Sequence, residues 1–299
     1  AYGVGGSSGD AIVGSVTAND NSIDFSGNGA TQFNSSETED IVVVSLGNQT
    51  NKFVVAYRDN GNSDHGYARM GTISGTTITF SSAYAFNTAG TTNQIRMAYD
   101  ENAERIIITF RDYGNSYYGT AIVGEVASNG NISFGSKTVY NSAQSIGNAS
   151  VYDPDSQKII IAYRDVGASS SGRAIVGTVS GTSISFGSEA VFDATYGDGF
   201  YRIAYDTTNN KVIIGYNDTN NYGMAVVGTV SGTSITFGTS VAFDNAAGAK
   251  DYINTSYDPD TGKVVIAYRD GANSNYGTLI EGTVSGTSIS FANKLVFNS

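Results

Sequence analysis

The sequence predicts an all-β protein, a β-propeller of four-stranded antiparallel blades. Three observations carry that expectation. First, a strand ending recurs at Tyr57-Arg58-Asp59, Phe110-Arg111-Asp112, Tyr163-Arg164-Asp165, Tyr216-Asn217-Asp218 and Tyr268-Arg269-Asp270, at intervals of 53, 53, 53 and 52 residues. Second, each copy holds short apolar runs of strand length, broken by Gly, Ser, Asn and Asp. Third, no stretch has helical periodicity; 102–106 is too short and runs into a strand. A period of about 53 residues suits a propeller blade and is too long for one coil of a β-helix.

The copy around Lys158 shows each element in order. Ser150 to Asp153 is strand A, closed by the turn Asp153-Pro154-Asp155-Ser156-Gln157. Ile159 to Tyr163 is strand B, an unbroken β-branched run that reads as buried on both faces. A Ser/Gly loop leads to strand C, Ala174 to Val179. The tight turn Ser180-Gly181 returns the chain as strand D, where Ile184 and Phe186 alternate with Ser183 and Ser185. Small residues in strands B and C (Ala162, Ala174, Gly177) are expected to let neighbouring blades approach. Phe25, Phe80, Phe134, Phe186, Phe237 and Phe291 recur once per copy and read as core.

The strand-C glycine recurs six times, at Gly14, Gly71, Gly124, Gly177, Gly228 and Gly282, against five complete A–B hairpins. Six blades follow, with five or seven as alternatives. The expected organisation is a single domain over 1–299: a partial copy at 1–35, then five repeats. Its first C–D turn, Thr17 to Ser22, is longer and more polar than the others. Ala1-Tyr2 reads as the tail of a sixth strand B whose partner strands lie upstream, so Ala1 reads as a processed or truncated start. The resulting blade edge offers itself to strand addition and self-association.

A net charge of −11 and the lack of any Lys/Arg cluster argue against nucleic-acid binding. There are no cysteines, so neither disulfides nor a thiolate metal site can form. No segment approaches the roughly 18 apolar residues of a membrane span, so no membrane insertion is expected. His65 is the only histidine, which leaves a zinc centre or a Ser–His pair without partners. The turns Asp153-Pro154-Asp155 and Asp258-Pro259-Asp260 carry half of a calcium-loop pattern but lack its distal Glu, so they read as capped turns. No cofactor and no metal site are expected.

The phrases AIVGTVSGTSISFGS (Ala174 to Ser188) and KVVIAYRDGANSNYGT (Lys263 to Thr278) resemble a tandem repeat of predicted structural and tail-fibre proteins of marine phages infecting cyanobacteria. The similarity covers nearly the whole chain. It implies an adhesin or decoration protein in an extracellular or virion-associated setting, and no catalytic residue comes with it.

The repeated Arg-Asp pairs (Arg58/Asp59, Arg111/Asp112, Arg164/Asp165, Arg269/Asp270) read as structural, with buried arginines bonded at blade seams, because recognition needs distinct rather than identical neighbours. Tyr113, Tyr117, Tyr118, Tyr196, Tyr201, Tyr222, Tyr252 and Tyr276 lie in or near loops, most serving turn packing. Among them Tyr113, Tyr117, Tyr118, Tyr222 and Tyr276, with Asn62, Asn115 and Asn273, are the candidate contacts to a glycan or protein surface. Mild asymmetry surrounds Asp64-His65-Tyr67-Arg69 and Tyr196 to Tyr201. No unique carboxylate pair stands out, so a non-catalytic binding or structural module is expected. A glycan-processing enzyme on the same fold, or a filament subunit, is the alternative.

Overall fold

The structure is a computed structural model describing residues 1–4, 8–17, 22–25, 29–47, 49–195 and 200–299. Tyr196 and residues 18–21 of the long first C–D turn lie outside them. The chain packs as two compact units. One comprises Ala1–Tyr117, Ala121–Lys137 and Gly181–Ser183; the other comprises Tyr118–Thr120, Thr138–Ser180 and Ile184–Ser299.

Each complete copy is an antiparallel A–B–C–D sheet. In the first unit one sheet runs Thr38–Ser45, Lys52–Asp59, His65–Ser74, then Thr77–Phe80 and Tyr84–Asn87. Strand D comes in two pieces: Gly71 faces Phe80, and Tyr84 faces Ala68, so both pieces pair with strand C. In the second unit the same order is Lys158–Asp165, Ser171–Ser180, Ser183–Phe186 and Ala190–Asp193 for strands B to D. It recurs in Arg202–Asp206 to Val241–Asp244 and in Lys250–Asp258 to Leu295–Asn298. The partial copy contributes Tyr2–Val4, Ser8–Ala11 and Thr31–Asn34. Its register, Tyr2 opposite Asp10, has the offset of Tyr216 opposite Met224, so Tyr2–Val4 occupies the position of a strand-B end. Helical structure among the described residues is limited to the 3-10 turns Asn60–Asn62, Tyr113–Asn115 and Val166–Ala168.

Strand B is buried on both faces except in the last copy, Lys263–Asp270, where Val264, Ile266 and Tyr268 are buried and Val265 and Ala267 half-buried. Val212 and Ile214 pack in one apolar cluster and the intervening Ile213 in another, all three fully buried. In the first unit Val54 and Ala56 likewise alternate with Val55 and Tyr57 between two clusters. Burying each large side chain of this kind contributes about 1.5–3 kcal/mol.

Two sequence expectations change. The strand-C glycines make room within their own blade: a Cβ on Gly177 would lie 2.8 Å from Ile184 and 3.0 Å from Phe186 of strand D. Phe25 is 48% exposed, unlike its counterparts. The buried aromatic of a D strand is instead the one near its end, as at Phe33, Phe86, Tyr140, Phe192 and Phe243, whereas Phe297 of the last strand is exposed.

Candidate ligand-binding cleft

Strand A begins with a bulge in four copies. Pairing in the last blade runs Asp251 to Arg269 and resumes one residue out of register at Asn254 to Ala267. The residue after the last regular pair takes left-handed backbone angles: φ is 49° at Asp40, 54° at Gln94, 64° at Gly147 and 53° at Tyr252. That conformation costs a non-glycine residue about 1–2 kcal/mol. Gly147 avoids the cost, and Asp40 is held by accepting the Gln94 N–H at 2.8 Å. Burial raises the Asp40 carboxyl above its ordinary value, opposed by that bond and by the Arg96 charge.

Tyr252 has neither excuse. It is 79% exposed, its ring lying 5.3 Å from the Arg269 guanidinium. It forms the rim of a cleft of about 430 Å³ with Phe200, Arg202, Asn217, Asp251 and Ile253. Phe200, 53% exposed, is a second aromatic wall, and buried Ile253 and Asn217 form the floor. Arg202 donates to the Tyr201 carbonyl, and Asp251 is ion-paired to Arg269. Lys250, also lining the cleft, is fully buried and donates to the Ala246 and Gly248 carbonyls while facing Asp244 and Asp270.

The loop residues expected from sequence are placed differently. Tyr113 and Tyr117 meet edge-on at 4.6 Å, and both cover the Arg111 guanidinium at about 5 Å. With exposed Asn115 they make an open aromatic platform. Asn62 hydrogen-bonds the Tyr67 hydroxyl, while Asn273 is exposed at its own loop. Tyr118, Tyr222 and Tyr276 are half-buried. Tyr201 is not a loop contact: it is fully buried against Phe192 and Tyr216. Phe200 falls in the asymmetric stretch Tyr196 to Tyr201, but neither it nor Arg202 is among the candidate contacts, which lie in the loops joining strands B and C rather than at the start of strand A.

The Arg-Asp repeats divide by residue type. The aspartates are uniformly buried, and Asp112, Asp165 and Asp270 each accept a backbone N–H from the following turn. The arginines vary. Arg164 is 8% exposed, but the Arg269 side chain is 43% exposed. Arg58 and Arg269 pair with Glu39 and Asp251 across strands A and B of their own blade, rather than across a seam. In the A–B turns Asp153 accepts the N–H groups of Asp155 and Ser156, and Asp258 that of Asp260, so these carboxylates cap turns. Among the described residues no His, Cys, Asp and Glu side chains gather as a metal site.

No family model matches this chain, and no curated protein matches it in sequence. Solved structures do match. AofleA from Arthrobotrys oligospora superposes with a TM-score of 0.54 at 10% identity, covering 100% of this chain and 89% of its own. A variant of AofleA with three arginines, spaced 53 residues apart, replaced by alanine superposes equally well. A chain of the nidogen–laminin complex gives 0.50 at 12% identity over 97% of this chain and 91% of its own. The Trypanosoma rangeli sialidase gives 0.51 at 11% identity over 96% of this chain, which spans about half of that enzyme (52%). At such identities the likeness is one of fold, and the fold of this chain is the all-β propeller of four-stranded antiparallel blades.

Proposed function

We propose that the chain is a non-catalytic glycan-binding module, displayed on an extracellular or virion-borne assembly. The observation carrying this reading is the cleft between Phe200 and Tyr252. Two exposed aromatic faces suit the C–H faces of a sugar, and Arg202, Asn217 and Asp251 supply donors and acceptors for hydroxyls. An exposed tyrosine held in a costly backbone conformation, where a sibling copy has glycine, is strain kept at a place that packing does not require. The sialidase among the fold neighbours gives the fold a precedent for glycan substrates. The three arginines replaced in the AofleA variant have the interval of Arg58, Arg111 and Arg164 here, and the equivalent Arg269 braces Tyr252. Glycoside hydrolysis by the common routes needs a carboxylate pair. Asp251 is the one carboxylate lining the cleft among the described residues, and it is held by Arg269.

A glycan array read with wild type, Tyr252→Ala and Arg202→Ala tests the reading. Each variant is expected to weaken binding at least about tenfold, which corresponds to about 1.4 kcal/mol, and the bound glycans are expected to remain uncleaved. Binding that survives both substitutions, or turnover of the glycan, would count against it. The virion setting rests on the repeat resemblance alone, and the full reading frame tests it. Self-association belongs to the same reading, because the edge strand Leu295–Asn298 exposes Leu295, Val296 and Phe297. Light scattering should show concentration-dependent oligomers that Phe297→Lys disperses; monomers at all concentrations would remove this part.

A further inference from the structure

The repeats differ at one position where strand D is broken, three residues beyond its phenylalanine. Lys137 follows Phe134, Lys294 follows Phe291, and Ala83 follows Phe80. In two copies the lysine fills a polar socket. The Lys137 Nζ lies 2.9 Å from Asn87 Oδ1 and 2.8 Å from Asp112 Oδ2. The Lys294 Nζ lies 2.9 Å from Asp244 Oδ2 and 3.2 Å from Asp270 Oδ2. The corresponding residues in the Ala83 copy are Asn34 and Asp59, each at the same strand end.

There the socket is a cavity of about 320 Å³, lined by Asn34, Tyr57, Asp59, Tyr67, Arg69 and Ala83 among others. Asp59 is only 8% exposed, and its buried Oδ1 has no hydrogen-bond partner. Unlike Asp112, it does not accept a backbone N–H from the 3-10 turn that follows. Arg69 does not compensate for this: it donates to the Phe33 and Ser81 carbonyls and forms no ion pair with Asp59. Asn34 still donates to Thr38 Oγ1 at 2.9 Å, as Asn87 does to Thr92 Oγ1 at 3.0 Å, so the frame of the socket is kept. The Tyr57 and Tyr67 rings stack with centroids 6.2 Å apart and add π-faces that attract a cation.

We propose that this cavity binds a primary ammonium group on an unhindered stem, in the place that lysine occupies in the sibling copies. A buried carboxylate oxygen without a partner is costly, and an incoming ammonium satisfies it with a charge-assisted hydrogen bond. The ammonium is that of a small amine or of a lysine side chain of a protein; the recognising chemistry is common to both. The site is separate from the Phe200–Tyr252 cleft, so either reading can fail without the other.

Titration calorimetry with n-butylammonium, glucosamine, Nα-acetyl-lysine amide and a lysine-containing peptide tests it, with n-butanol as the uncharged control. Saturable binding of an ammonium is expected, at least about tenfold tighter than the alcohol. Tighter binding of the peptide than of butylammonium identifies a protein lysine as the natural occupant; equal or weaker binding identifies a small amine. Asp59→Asn should weaken binding at least about tenfold. Ala83→Lys restores the internal lysine, so it should abolish binding while raising the melting temperature. No saturation by any ammonium, equal affinity for butanol, or full binding by Ala83→Lys would each overturn the proposal.

Discussion

At the scale of single residues, Tyr252 separates stability from binding. Glycine at that position would relieve the left-handed backbone cost of about 1–2 kcal/mol and forfeit an exposed cation–π contact of about 0.5–1 kcal/mol with Arg269. Tyr252→Gly is therefore expected to leave stability unchanged or slightly raised while glycan binding falls. Denaturant unfolding beside the binding assay checks this, and a stability loss above about 1 kcal/mol would make Tyr252 a structural residue. Tyr252 was visible in the sequence as a tyrosine near a loop, but its role was not. The signal available was the mixture Gln94, Gly147 and Tyr252 at one repeat position, where a purely structural demand would favour glycine. The Arg-Asp pairs were likewise visible as a repeat, but not that the aspartates are the uniformly buried members and the arginines unevenly exposed. Nor does that exposure follow from the residue opposite: Arg58 and Arg269 both face an acid, Glu39 and Asp251, yet their side chains are 14% and 43% exposed, while Arg164 faces Ile146.

At the scale of elements, the strands were legible because a doubly buried run and a period-two run are distinct patterns. Val212 to Ile214 and the Ser183–Phe186 strand show the two cases. The bulge and the break in strand D were not legible. One extra residue changes which face every later side chain meets, and composition does not mark where it is inserted. The same limit hid the purpose of the strand-C glycines. A Cβ on Gly223 would lie 2.2 Å from the Phe243 ring, which is 5% exposed and cannot withdraw freely. Gly223→Ala is expected to destabilise by about 1–3 kcal/mol through overpacking. The double variant Gly223→Ala/Phe243→Leu should recover part of that loss, whereas simple additivity in thermal unfolding would show that the glycine serves something other than the ring.

At the scale of the whole molecule, one strand grammar is repeated while the residue at the break in strand D changes: Lys137 and Lys294 each bond acceptors in two consecutive copies, whereas Ser240 accepts the Tyr216 hydroxyl within its own copy, and Lys250 joins Lys294 in the last. The last of these has a pH signature. Burial opposes the charged form of Asp244, but bonds from Lys294, the Ala246 N–H and Tyr268, with the charge of Lys250, hold its carboxyl below the ordinary aspartate value. Burial also opposes the Lys294 ammonium, yet its bonds to Asp244 and Asp270 raise it above the ordinary lysine value. A depressed carboxyl stabilises the fold above its unfolded value, about 3.9, and that contribution is lost as pH falls through the folded value. A raised ammonium stabilises the fold below its unfolded value, about 10.4, and loses that contribution as pH rises through the folded value. The cluster therefore acts in full between about pH 4 and 10. Lys294→Met should lower stability in that window by about 1–3 kcal/mol, because Asp244 and Asp270 lose a donor. The difference from wild type should narrow toward pH 3 and again above pH 11, with denaturant unfolding measured at each pH. An equal difference at pH 3 and pH 7 would mean that the lysine contributes its stem rather than its charge, and the analogy between this socket and the Asp59 cavity would lose its electrostatic basis.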